Sequence, residues 1–151
     1  MQVYVKNEFD MKDYGERIGR LLKGGECIEL VGDVGAGKTT LTKGIANGLG
    51  ITETVQSPTF SINRTYQARD GLRLHHYDFY RLNEAGIMAM ELAESLSDPS
   101  IVSVIEWGDV VAPVLQNDRI VITITSPDEA SRLLDVQADG KAAAAITERV
   151  L

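Results

Sequence analysis

Cysteine is almost missing from this chain: Cys27 is the only one among 151 residues, so no disulfide can form within it. Cys27 precedes an apolar run and reads as a small core side chain, which makes the cytoplasm the expected address. Long apolar runs are missing as well. Stretches such as IVSVI at 101–105 fall far short of the ~20 residues needed to cross a bilayer, so no membrane association is expected. The opening MQVYVKNEFD has neither the basic patch nor the long apolar core of a signal peptide. No segment is strongly basic, and the formal net charge is −7. Phosphate backbones are bound through clustered lysine and arginine, so any service to a nucleic acid is expected to run through a partner. Internal repeats, low-complexity linkers and charge blocks are also lacking, and residues 1–151 read as a single domain.

What remains is an ordinary globular composition, 44% apolar and 25% charged. VYV at 3–5 is a short strand candidate. A helix is predicted from an N-cap at Asp10 to Gly24-Gly25, with Met11, Tyr14, Ile18, Leu21 and Leu22 at helical spacing. CIELV at 27–31 is a strand running into a glycine-rich loop, and the next helix ends at Gly50. FSINRTY (60–66) and LRLHHYDFY (72–80) alternate as strands around the turn ARDG, which predicts a hairpin. A helix over 84–96, a buried strand over 101–107, a helical turn at GDVVAPVLQ and a strand over 119–125 follow. SRLLDVQA is expected to add an edge strand, and KAAAAITERVL a last helix. Strands alternating with helices predict an α/β three-layer domain of P-loop NTPase type, with a mixed sheet that includes an antiparallel hairpin.

The loop Gly32-Asp33-Val34-Gly35-Ala36-Gly37-Lys38-Thr39 matches GxxxxGK[ST] at every fixed position, after a strand and before a helix. Its glycines let backbone N–H groups wrap a phosphate, and the helix N-terminus adds partial positive charge. Lys38 is suited to the outer phosphates, the Thr39 hydroxyl to magnesium, and Thr40 to an inner phosphate. The plain alternative is a glycine-rich turn that matches by accident, expected in about one chain in a hundred of this length or fewer.

A P-loop holds phosphates without cutting them; hydrolysis also needs a metal-side carboxylate and a group that orients water. Glu106 ends the strand IVSVI, where such an acid would sit, or it is a solvated rim residue. Asp78 alternates with His76 in HHYDFYRL (75–82), so the two share a strand face, functional or simply solvated. His75 points the other way and reads as packing or surface. Trp107, the only tryptophan, is core by default and adjoins Glu106. Ser57-Pro58-Thr59-Phe60 is a turn by composition, and in this place it could sense the third phosphate.

Together these stretches resemble the TsaE family, small bacterial ATPases that help make threonylcarbamoyladenosine in tRNA. GDVGAGKTTLTKGIANGLGI (32–51), SPTF (57–60), HHYDFYRL (75–82) and IEW (105–107) occur in the family's order and at about its spacing. The resemblance implies ATP and Mg2+ as ligands. It gives the loop from Asp33 through Gly35, Ala36, Gly37 and Lys38 to Thr39 and Thr40 nucleotide roles, and Thr39 and Glu106 roles at the metal. It makes Asp78 a carboxylate needed for hydrolysis. Thr59 and His76 fall in the region that faces the third phosphate, Trp107 beside the nucleotide, and Glu8 near the adenine. Gly108 stands where the family usually has proline.

The implied function is ATP hydrolysis as a subunit of the tRNA-modifying assembly, with TsaD and TsaB as partners and tRNA met only through them. Three other readings compete. A small-molecule P-loop kinase would need an arginine-bearing lid, and no such segment is recognisable. A GTPase would carry Asn-Lys-x-Asp, which is absent. A nucleotide-gated interaction module would bind without turnover. For a cation on the third phosphate, Arg64, Arg69, Arg73 and Arg81 are the candidates within the chain.

Overall fold

The computed structural model describes residues 1–33, 35–58, 62–84 and 86–150. Seven strands form one sheet in the order β1-β7-β6-β2-β5-β4-β3. The strands are β1 (Gln2–Val5), β2 (Cys27–Val31), β3 (Asn63–Gln67), β4 (Arg73–Asp78), β5 (Ile101–Glu106), β6 (Ile120–Thr125) and β7 (Arg132–Ala138). The central four, β4, β5, β2 and β6, run parallel. β3 pairs antiparallel with β4, forming the expected hairpin, and β7 and β1 continue antiparallel beyond β6. All six residues of β5 are buried, as a strand covered on both faces requires.

Helices α1 (Glu8–Leu21), α2 (Lys38–Gly48) and α4 (Lys141–Arg149) cover one face. There Ile18, Leu41, Ile45 and Ile146 join Ile28, Leu30, Val102, Val104 and Leu74 from the strands in one core cluster. On the other face α3 (Gly86–Ser97) and the 3-10 segment Gly108–Val114 pack Leu92, Leu96 and Val111 against Tyr77, Ile105 and Cys27. The result is the three-layer α/β arrangement of P-loop NTPases.

Two local expectations are corrected. The N-cap of α1 is Asn7, not Asp10: the Asn7 side chain accepts the Asp10 N–H at 2.9 Å. Asp10 instead accepts the Lys6 N–H at 3.3 Å, so it supports the same cap from inside the first turn. The strand at SRLLDVQA is not an edge, because β1 pairs with it along all four residues, Gln2 to Asp135 through Val5 to Arg132. Gly50 does close α2: its φ of +75° follows the helix, and its N–H and that of Ile51 return to Asn47 and Ala46.

The contact that sets α2 in place is a seam without side chains. Gly15 and Gly19 of α1 face Gly44 and Gly48 of α2, and a Cβ at any of them would fall within 2.6 Å of a backbone oxygen across the seam. The helices therefore touch backbone to backbone. Because α1 and α2 each begin at the same end of the molecule, this seam also sets the distance between their N-termini.

Candidate nucleotide site

β2 delivers the chain to the P-loop, and α2 begins at Lys38 directly after it. Gly35 (φ +83°) and Gly37 (φ +110°) adopt the left-handed backbone that curls the loop, a conformation costly for other residues. Lys38 is only 6% exposed, and its Nζ donates to the Gly32 carbonyl at 2.7 Å. The same ammonium stands 4.0 Å from Oε1 of Glu106 and 4.0 Å from the centre of the Trp107 ring. Burial pulls the Lys38 ammonium below its ordinary pKa, opposed by the charges of Glu106, Asp78 and Asp33.

The acids arrive from neighbouring strands. β4 and β5 are parallel and in register, so Asp78 and Glu106 are direct partners at the ends of their strands. This is the carboxyl end of the parallel strands, where open α/β sheets bind their ligands. Asp78 Oδ1 accepts the Tyr80 N–H at 3.0 Å, which fixes its carboxylate at the turn after β4. Trp107 follows Glu106 with φ 57° and ψ 48°, left-handed for a bulky residue, and its ring meets that of Tyr80 at 4.9 Å. Such an outlier at a pocket wall is a conformation the surroundings impose. The 3-10 segment that starts at Gly108 leaves little room there. A Cβ would lie 3.1 Å from Oε2 of Glu29 and 3.2 Å from Ile105, which accounts for glycine at this position.

These groups line one pocket of about 840 Å³. Its floor is made by Gly35, Gly37, Lys38, Thr39 and Thr40, and one wall by Asp78, Glu106 and Trp107. Glu8 and Phe9 at the start of α1 form part of the rim, Phe9 with 79% of its surface exposed. Three expected residues do not line it. Asp33 is exposed, and its carbonyl accepts the Ala36 N–H to close the loop's first turn. Ala36 is buried. His76, expected to face the third phosphate, is fully buried and bonded through Nε2 to Oε2 of Glu106 at 2.5 Å; β4 carries it one pleat behind Asp78. Thr59 lies outside the described residues.

Sequence reasoning missed Arg132. From β7 its Nε donates to the Ala36 carbonyl at 2.9 Å and its Nη1 to the carbonyls of Asp128, Glu129 and Ser131, and the residue lines the pocket. No motif flags it, because the placement depends on β7 crossing next to β6. The four arginines named as candidates for the third phosphate are elsewhere. Arg69 donates to the carbonyls of Gly19, Arg20 and Leu22 and so caps the end of α1. Arg73 pairs with Asp98, and Arg64 and Arg81 are exposed and line no part of the pocket.

The donor set suits a hard cation. Among the described residues no three or more His, Cys, Asp or Glu side chains gather as a metal cluster. Thr39 and Glu106 offer one hydroxyl and one carboxylate, the Thr39 hydroxyl hydrogen-bonded to that of Ser57 at 2.6 Å. Magnesium is commonly held by one or two protein oxygens and completed by phosphates and water, and the residues fit that pattern. No helix among the described residues is long and apolar enough to cross a membrane.

Comparison with known proteins gives the family. Residues 5–134 match the family model described as threonylcarbamoyl adenosine biosynthesis protein TsaE. A Streptomyces coelicolor protein named tRNA threonylcarbamoyladenosine biosynthesis protein TsaE is 44% identical over 76% of this chain and 78% of its own length. A Treponema pallidum protein of the same name is 35% identical over 90% of this chain and 99% of its own. The crystal structure of YdiB from Bacillus subtilis superposes with a TM-score of 0.81 at 30% identity, covering 99% of this chain and 93% of that one. A family model matched over most of the chain and relatives at this level of identity show that the chain belongs to the TsaE family of threonylcarbamoyl adenosine biosynthesis proteins.

Proposed function

We propose that this protein binds ATP with Mg2+ and hydrolyses it to ADP and phosphate, as the ATPase subunit of the assembly that installs threonylcarbamoyladenosine in tRNA. The observation that carries this reading is the placement of Lys38, Thr39, Asp78 and Glu106 around one pocket at the carboxyl ends of β2, β4 and β5. The loop amides from Gly35 to Thr40 and the N-terminus of α2 bind the phosphates, and Lys38 neutralises the outer ones. Thr39 and Glu106 would hold the metal, which would neutralise charge building on the phosphate oxygens. Asp78, fixed by the Tyr80 N–H, orients the water that attacks the third phosphorus, and the bond to the ADP oxygen breaks. Glu8 and Phe9, at the start of α1, form the part of the rim where the adenine end of the nucleotide would lie.

Arg132 is the one arginine among the described residues that lines the pocket, and four backbone carbonyls already hold it. A second cation for the third phosphate therefore comes from a partner, TsaD or TsaB, and turnover is slow until the complex forms. tRNA is held by those partners, in keeping with the net charge of −7. The test is steady-state phosphate release from the protein alone, with TsaD and TsaB, and with tRNA added. Asp78→Asn and Glu106→Gln should bind ATP yet lose turnover in the full assembly. A high rate alone, indifferent to partners, would remove the assembly role; full activity of either variant would remove that acid.

A further inference from the structure

Behind the pocket wall, Glu106 has a buried partner that hydrolysis itself does not require. His76 is 0% exposed and Glu106 3%. Their contact, Nε2 to Oε2 at 2.5 Å, occupies one carboxylate oxygen. The other, Oε1, faces Lys38 at 4.0 Å. A glutamate has three rotatable bonds, and at the end of a strand nothing in its own backbone selects the rotamer that aims one oxygen at the P-loop. The register does supply a selector. His76 pairs with Val104 on β5, two residues before Glu106, so its ring projects on the same face as Glu106 and meets it from the amino-terminal side.

We propose that His76 is a positioning residue: by donating its Nε2–H to Oε2 it locks the Glu106 carboxylate so that Oε1 is presented to the metal–phosphate end of the pocket. The inference rests on the ATP and Mg2+ reading above. As mere packing, imidazole is the poorer choice here, because among the described residues Nδ1 is buried without a hydrogen-bond partner, and an aliphatic side chain would leave no polar atom stranded. The bond to Glu106 is what the imidazole provides and leucine cannot. Partners of this kind, which orient a ligating group without touching the metal, generally affect metal affinity as strongly as they affect rate.

The experiment uses the full chain with Mn2+ as the metal probe, its free fraction read by electron paramagnetic resonance in the presence of a non-hydrolysable ATP analogue. Calorimetric affinity for the same analogue in EDTA serves as the metal-independent readout. His76→Leu should weaken Mn2+ by about tenfold to a hundredfold while leaving the affinity in EDTA essentially unchanged, because the P-loop is intact. His76→Gln, whose amide nitrogen can reach the Nε2 position, should recover most of the loss, and the shorter His76→Asn should not. Wild-type Mn2+ affinity in His76→Leu, with Glu106→Gln weakened, would overturn the inference and leave the ATP reading standing. A loss that glutamine does not rescue would overturn it too, since the donor would not be the cause. Should His76→Leu fail to fold, equal Mn2+ affinities for the Gln and Asn variants would refute the proposal. Unchanged Mn2+ affinity in Glu106→Gln would instead remove the metal role of the acid itself.

Discussion

Replacing Gly19 by alanine sets two effects of opposite sign against each other. Inside a helix, alanine is favoured over glycine by about 1 kcal/mol. Here, however, a Cβ would lie 2.2 Å from the Ile45 carbonyl oxygen and 2.9 Å from Gly48 Cα, and ordinary contact begins at 3.4 Å. Every one of these atoms is backbone, so no rotamer change can relieve the overlap, and α1 and α2 must part. Overpacking of this kind costs about 1–3 kcal/mol, and a rigid neighbour puts the cost at the top of that range. The net expectation is a loss of about 2 kcal/mol, or roughly 4–8 °C in Tm for a chain of this size. Thermal and urea unfolding followed by circular dichroism measure it. Gly15→Ala, whose Cβ would meet Leu41 O at 2.6 Å, should lose less. A Gly19→Ala protein as stable as the wild type, or more so, would show that propensity outweighs the seam and refute the reasoning. The seam also spaces the two N-termini that flank the nucleotide, so the variant should bind ADP more weakly, with no pocket residue changed.

Lys38→Ala should cost at least about 2 kcal/mol of ATP affinity, because charge-assisted bonds to the outer phosphates vanish together; unchanged calorimetric affinity would contradict the P-loop assignment. Arg69→Ala should lower Tm, since three carbonyls at the end of α1 each lose a donor, yet leave ATP affinity intact; the reverse pattern would return Arg69 to the site. Burial pushes the Cys27 thiol from 9.0 up to about 12. The folded state thus favours the protonated thiol, and the stability this contributes is complete below the unfolded pKa and lost as pH rises toward the folded one. Urea midpoints of the wild type should fall more steeply than those of Cys27→Ala from about pH 9 upward, and parallel slopes would show that Cys27 does not carry the effect.

The chemistry of the site was legible in the sequence where it is local. The P-loop is one contiguous run whose neighbours in the chain are its neighbours in space, so strand, loop and helix followed from Cys27 to Gly48. Alternation along HHYDFYRL placed His76 and Asp78 on one face, and that holds. Alternation does not reveal depth, however. Asp78 ends the strand beside the pocket, whereas His76, two residues earlier, is fully buried against Glu106. Which strand carries Glu106 next to Asp78 was hidden for a similar reason: register across β4 and β5 is a long-range fact. Arg69 shows the same limit, because its role depends on the hairpin turn folding back to the end of α1, about fifty residues away in the chain. The glycine spacing in α1 and α2 was visible, but only the pairing of the two helices gives it meaning.

The same long-range facts account for the clustering of function at one end of the sheet. β2, β4 and β5 run parallel, so their carboxyl ends coincide, and each strand contributes a group there: the P-loop after β2, Asp78 on β4, and Glu106 with Trp107 on β5. An antiparallel partner would have sent one of these groups to the opposite edge. The antiparallel strands lie outside this set, with β3 beyond β4 and β7 beyond β6, and β7 still serves the pocket because Arg132 is its first residue, at the same end. Lys38, the first residue of α2, therefore lies in the field of two acids from two strands, and all three groups are borne by regular elements. For the hydrolysis proposed above, rigidity of that kind is what electrostatic catalysis would require, because charges fixed by the fold need not reorganise as phosphate charge develops. It also makes the sheet register part of the machinery: a slip of β4 by one residue against β5 would turn Asp78 to the α3 face and break the His76–Glu106 contact in the same step.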